Sequence, residues 1–210
     1  ADLLATEGYF KTRTISYQPT PTLAEFRIHL PPQAKVSQVN VAITGDLTAN
    51  GGNISLAYQT TVSGNVSTSG TGTISTAQNG SIGGNVTGGS GSISISESGT
   101  VAGNVTGTGS ITVVQSATVS GSVSAGSGAV SLGYQAKVNG NLSTTGTISL
   151  GQASRVGGTV SGGSGNVTVG YGATVIGTLT TSTGTIDIAQ IATTSSCVKS
   201  TAGASITLGY

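Results

Sequence analysis

From Ile43 onward the chain repeats itself, and no other feature limits so strongly what it folds into. Repeat starts fall at Ile43, Val62, Ile82, Val101, Val119, Val138, Val156 and Val175, with spacings of 19, 20, 19, 18, 19, 18 and 19 residues. Each unit reads apolar-x-Gly-x-apolar, then a polar Gly-rich gap, then apolar-x-apolar. Val138-Asn139-Gly140-Asn141-Leu142 followed by Ile148 and Leu150 shows the pattern, as does Val62-Ser63-Gly64-Asn65-Val66 followed by Ile74. A ninth, incomplete unit carries Val198, Ile206 and Leu208. The length variation falls mainly in the Gly/Ser/Thr gap, where a loop absorbs a residue, and not inside the apolar triplets.

A unit of this length is too short for a propeller blade of ~40 residues and lacks the leucine-rich repeat pattern. Without helical periodicity, it fits one coil of a β-solenoid. Each coil turns its apolar residues inward, and the next coil sets the same residue types over them about 4.8 Å away. One unit buries too little alone, so stability comes from neighbours. The sequence thus predicts an all-β fold, a β-solenoid of about nine coils of 18–20 residues over 43–210, as a rod roughly 40 Å long. Its core should include one continuous inward stack of Val66, Val86, Val105, Val123, Leu142, Val160 and Leu179. Composition agrees: with 35 Gly, two Phe, no Trp and no Met among 210 residues, the core must be built from small side chains packed regularly. Disorder goes with low hydropathy and high net charge, whereas here the mean hydropathy is positive and the formal charge is +1.

A compositional boundary lies near residue 42, which divides the chain into a lead-in (1–42) and the solenoid (43–210). All four prolines, both phenylalanines, the single histidine His29 and seven of the thirteen charged residues precede position 36. Phe26, Ile28 and Leu30 alternate with Arg27 and His29 in the period-two pattern of a half-buried strand. Val39, Val41 and Ile43 alternate again after Pro31-Pro32. The segment from Tyr9 to Tyr17 reads as an edge strand or a free arm.

Three columns run up the repeat. Gly64, Gly84, Gly103, Gly121, Gly140, Gly158 and Gly177 mark a corner, where the absence of Cβ permits a bend or a positive φ. Asn65, Asn85, Asn104 and Asn141 follow four of them, and stacked asparagines run side-chain hydrogen bonds along such an assembly. These four, with Asn53, Asn79 and Asn166, also stand in N-x-[ST] sequons, but the ladder pattern generates those sequons without selection for sugar. The third column lies two residues after the last apolar position of each coil: Tyr58, Gln78, Glu97, Gln115, Tyr134, Gln152, Tyr171, Gln190 and Tyr210. Tyr and Gln alternate along most of it, a supra-repeat of two coils. Its expected role is structural, each ring lying over the intervening Gln, with a sugar-binding or partner-binding stripe as the competing reading.

Catalytic chemistry is missing from the pattern. The coils hold only Asp46, Glu97 and Asp187, in coils one, three and eight, with Asp46 in a different column from the other two, so no carboxylate pair at ~5–9 Å is formed. No coil has the GGxGxD nonapeptide of calcium-binding β-rolls, and the uneven apolar spacing differs from hexapeptide acyltransferases. His29, outside the repeat, reads as solvated. Cys197 has no partner for an internal disulfide and is expected to fill a small core space, with pairing between subunits as the alternative. No catalytic, cofactor-binding or metal-ligating residue is therefore expected. Thinly spread Lys and Arg argue against nucleic acid, and no apolar run approaches the roughly 20 residues of a transmembrane helix. The chain begins at Ala1 without an initiator Met, which removal of a signal peptide would leave.

The Val-x-Gly-Asn-Val and Ile-x-Leu units, with pairs such as Ala136-Lys137 or Ala173-Thr174 before the next Val, resemble the bactofilin family of polymer-forming bacterial β-solenoids. The resemblance covers about 43–210. It implies a right-handed, three-faced β-helix that assembles end to end into nonpolar filaments without nucleotide. The coils here are longer and richer in Gly, Ser and Thr, and the lead-in is a Pro-containing β segment. Low charge and small polar side chains suit a secreted or cell-surface fibre better than a cytoplasmic one. The expected function is a structural subunit of an extracellular filament whose partner is itself. Its joint would combine Tyr9, Phe10, Ile15 and Tyr17 of the lead-in with Ile206, Leu208 and Tyr210 of the last coil. An adhesin or ice-binding rod with a Thr/Ser face, in contact with carbohydrate or another surface, is the alternative, as is a cytoplasmic cytoskeletal polymer. Thr112, Thr168 and Thr207 mark that face, interrupted by Ser55, Ser75, Ser94, Ser131 and Ser149.

Overall fold

The computed structural model describes residues 3–4, 28–29, 42–202 and 205–209. Over 42–209 the chain winds through nine coils, and each coil gives one short strand to each of three parallel nine-stranded sheets. The first face runs from Ala42–Ile43 to Thr193–Thr194, the second from Leu47–Ala49 to Val198–Ser200, and the third from Ile54–Ser55 to Ile206–Leu208. Each strand is only two or three residues long, because a coil of this length must turn three corners. Alternation along a strand sends one or two apolar side chains inward and the polar residue between them outward.

The stacking is in phase from coil to coil. On the second face Val66, Val86, Val105, Val123, Leu142, Val160 and Leu179 pair successively. All seven are fully buried, as the periodicity predicts. Val62 through Val175 form the first-face column, and Ile74, Ile93, Ile111, Val130, Ile148, Val167 and Ile186 the third, in one continuous core. Removing such side chains from water is worth about 1.5–3 kcal/mol each.

Coil length is regulated at one corner. From the first face to the second the step between inward residues is four in every coil (Val62 to Val66, Val175 to Leu179), and from the third to the next first it is eight (Ile74 to Ile82, Val167 to Val175). The variation therefore sits wholly between the second and third faces, where the step is six to eight residues (Val105 to Ile111, Val66 to Ile74). Buried threonines brace this second corner from inside: Thr68 Oγ1 donates to the Gly52 carbonyl at 2.7 Å, and Thr181 Oγ1 to the Gly163 and Gly165 carbonyls at 2.9 and 3.0 Å.

Glycine serves these corners through close approach. Among the first-corner glycines only Gly45 has a positive φ, 99°; the seven above it bend without entering that region. A Cβ added at Gly103 would lie 2.7 Å from the Gly84 carbonyl oxygen one coil away. Gly72, Gly91, Gly109, Gly128, Gly146, Gly165 and Gly184 form a second such column at the second corner, which the repeat pattern had left inside an undifferentiated gap. In the lead-in, Leu3–Leu4 pairs in parallel with Ile28–His29, so Ile28 and His29 are in a strand as expected. The Tyr9–Tyr17 segment, Val39 and Val41 lie outside the described residues.

Candidate functional site

The described interior is a continuous stack of apolar side chains, so the polar groups of interest lie on the outer surface, and its ladders come first. At the first corner the Asp46 carboxylate oxygen accepts the Asn65 backbone N–H at 2.7 Å and the Asn65 side-chain amide at 3.1 Å. Asn65 Oδ1 accepts from Asn85 N, Asn85 Oδ1 from Asn104 N, and Asn104 Oδ1 from Ser122 N, each at 2.8 Å. Ser122 Oγ then accepts from Asn141 N at 3.0 Å and Asn141 Oδ1 from Thr159 N at 2.8 Å. The expected asparagine ladder thus exists, but it runs mainly from side-chain oxygen to backbone N–H. Each rung caps a donor that the bend leaves out of the sheets. Asn53 and Asn166 cap Thr73 and Thr185 in the same way at the second corner.

Cys197 belongs to this outer corner and is exposed, so the expectation of a core filler is corrected. It stands immediately before the inward Val198, as Asn65 stands before Val66. That four-residue step forces its side chain outward.

The third corner is a tight turn, closed by hydrogen bonds such as Thr60 N to Ala57 O at 3.1 Å and Ala173 N to Gly170 O at 3.0 Å. The Tyr/Gln column holds its second position and a left-handed residue its third: Gln59, Asn79, Ser98, Ser116, Gln135, Ala153, Gly172 and Ile191, with φ from 48° to 63°. A third position with positive φ usually calls for Gly, yet only Gly172 supplies it. The conformation is held from above. Gln135 N donates to Gln152 O at 3.0 Å and Ala153 N to Tyr171 O at 2.9 Å, and equivalent bonds recur up the rod.

Outside this turn, Tyr58 OH accepts from Asn79 Nδ2 at 3.1 Å, and Gln78 Nε2 donates to Glu97 Oε2 at 3.1 Å. Tyr58, Tyr134 and Tyr171 are exposed, as are Gln78, Gln115, Gln152 and Gln190. The Tyr58 hydroxyl thus reaches the left-handed residue of the next coil. Glu97 lies in this column, whereas Asp187 projects from the third face in register with Thr168 and Thr207. With Asp46 at the first corner the three acids occupy three separate columns, which corrects the reading that set Asp46 alone against the other two.

The remaining surface of interest is the last coil. Among the described residues Ile206–Leu208 pairs on one edge only, with Ile186–Ile188. Ile186 and Ile188 are buried, but Ile206 and Leu208, in the same inward register, are 43% and 61% exposed. Tyr210, Tyr9, Phe10, Ile15 and Tyr17 lie outside the described residues. No helix among the described residues is long and apolar enough to cross a membrane. Comparison with protein-family models, with curated proteins and with solved structures finds no match, so the bactofilin likeness stands on the repeat alone and the family is not shown.

Proposed function

We propose that the protein is a structural, non-enzymatic subunit of an extracellular filament or surface appendage that assembles end to end with copies of itself. The observation that carries this reading is the exposure of Ile206 and Leu208 at positions that are core in the coils below. Solenoids that stay monomeric usually carry polar caps. Among the described residues this edge offers apolar side chains on a strand paired from one side, and an edge of that kind templates further pairing. A contact between opposite ends of two rods is heterologous and continues unless its rotation closes a ring. The lead-in, with Tyr9, Phe10, Ile15 and Tyr17, supplies strand-forming aromatic and β-branched residues not committed to the repeat, and we assign it to the same joint with Tyr210. The extracellular location rests on the sparse charge and the Ser/Thr surface, against the cytoplasmic setting of a bactofilin-type polymer. Sedimentation velocity tests the joint. The intact chain should form species that grow with concentration, while Ile206→Lys/Leu208→Lys and a deletion of residues 1–17 should each sediment as folded monomers. Unchanged growth in both variants would sink the end-to-end model.

One observation favours a second reading. The outward residues of the third face, Ser55, Ser75, Ser94, Thr112, Ser131, Ser149, Thr168, Asp187 and Thr207, do align in a single column. An adhesive or ice-binding face would use that alignment. The serines and Asp187 break the regular methyl and hydroxyl array, which ranks this reading below assembly.

A further inference from the structure

Two cations stand together in a column whose other members from Thr61 to Thr193 carry hydroxyls. The outward residues of the first face run Thr61, Ser81, Thr100, Thr118, Lys137, Arg155, Thr174 and Thr193. Lys137 and Arg155 are direct partners across adjacent coils and both are exposed. Like charges so placed destabilise a sheet. No described carboxylate offsets them, since Asp46, Glu97 and Asp187 stand in coils one, three and eight and in other columns. At the same levels the adjoining third corner presents Tyr134, Gln152 and Tyr171, the tyrosines 44% and 48% exposed. Beside Lys137 an open groove of about 310 Å³ is lined by Ser116, Gln135, Lys137 and Ala153, with Arg155 the next residue up the same column.

We infer that this strip of surface, the groove together with the exposed Lys137, Arg155, Tyr134 and Tyr171, binds an acidic polysaccharide lying along the rod, with its carboxylates on Lys137 and Arg155 and its sugar rings against Tyr134 and Tyr171. Lys137 and Arg155 stand one coil rise apart, about 4.8 Å, so the two cations together face a short stretch of a chain that carries a carboxylate on every ring. The tyrosines, two coils apart, meet its rings with an apolar face and a polar tip. Two cations are too few for the phosphate contacts of a nucleic-acid surface. The site is complete on one rod and does not depend on end-to-end assembly.

Affinity electrophoresis in gels containing polygalacturonate, with neutral dextran as control, tests the inference on the full chain. The native protein should be retarded by polygalacturonate alone. Lys137→Gln/Arg155→Gln should weaken retardation on the order of tenfold, as loss of charge-assisted hydrogen bonds does, and should remove most of its salt dependence. Tyr134→Ser/Tyr171→Ser should weaken it with the salt dependence kept, while Lys199→Gln on the second face should match the native chain. Circular dichroism establishes that each variant is folded. Equal retardation by dextran, or retardation unchanged in the Lys137/Arg155 variant, would overturn the inference. So would stronger binding to single-stranded DNA or to phosphatidylglycerol vesicles than to polygalacturonate.

Discussion

At the residue scale the fold sorts side chains by column, and departures from a column identify the weak points. Ala117, Ala136 and Ala173 fill one buried column ahead of the first face, and Ser154 takes the same place with its hydroxyl buried and without a partner. A buried unsatisfied hydroxyl costs about 1–3 kcal/mol, so Ser154→Ala should raise stability by about 1 kcal/mol, measured as a higher melting temperature or denaturant midpoint. A drop would mean that the hydroxyl is bonded. Ile191 departs in backbone: it is β-branched, has φ 48° and is 68% exposed. Ile191→Gly should stabilise by roughly 1 kcal/mol through relief of left-handed strain, and a loss of stability would show that the Ile191 side chain holds the turn through a contact. The apolar positions were legible because a two-residue alternation inside a fixed period names them. The left-handed residues were not, because Gln135 or Ala153 carries no local signal; the bond that holds each comes from the coil above. Cys197 was legible in principle, since its place one residue before Val198 aligns it with Asn65.

At the scale of the element, the three corners differ in what they tolerate. The first corner combines a fixed four-residue step with a glycine packed on glycine and, from Asn65 to Thr159, a side-chain cap on the next N–H, so its length is set by contacts on both neighbouring coils. The second already varies from coil to coil and is closed by carbonyls that small hydroxyls reach. One serine inserted after Ser127 should therefore cost less than about 1 kcal/mol, in line with the slow growth of loop-closure entropy. The same insertion after Gly121 should cost several times more, because it displaces Val123 from its stack and breaks the Asn104–Ser122–Asn141 run. Denaturant unfolding of the two variants checks the ranking, and equal losses would contradict it. The sequence placed the variable gap correctly from spacing alone. It did not separate the glycine column inside that gap, since varying loop length hides a column whose register is fixed from the following Ile or Val.

For the whole molecule, in-phase stacking makes a rod whose sides are finished and whose described last coil is not. Polar ladders line the corners, hydroxyls line the faces, and every interior position from the second coil to the eighth is covered by a neighbour. The nine-coil architecture followed from the period, because only stacking buries so many small apolar residues. Assembly through the ends was an expectation from the same logic. The side groove at Lys137 was not legible as a site, because two basic residues 18 positions apart become neighbours only once the coil register is known. Negative-stain electron microscopy of the purified native chain tests end-to-end assembly most directly. The account predicts unbranched fibres one rod wide, lost in Ile206→Lys/Leu208→Lys. Separate rods roughly 40 Å long, the height of nine coils, at every protein concentration would contradict it.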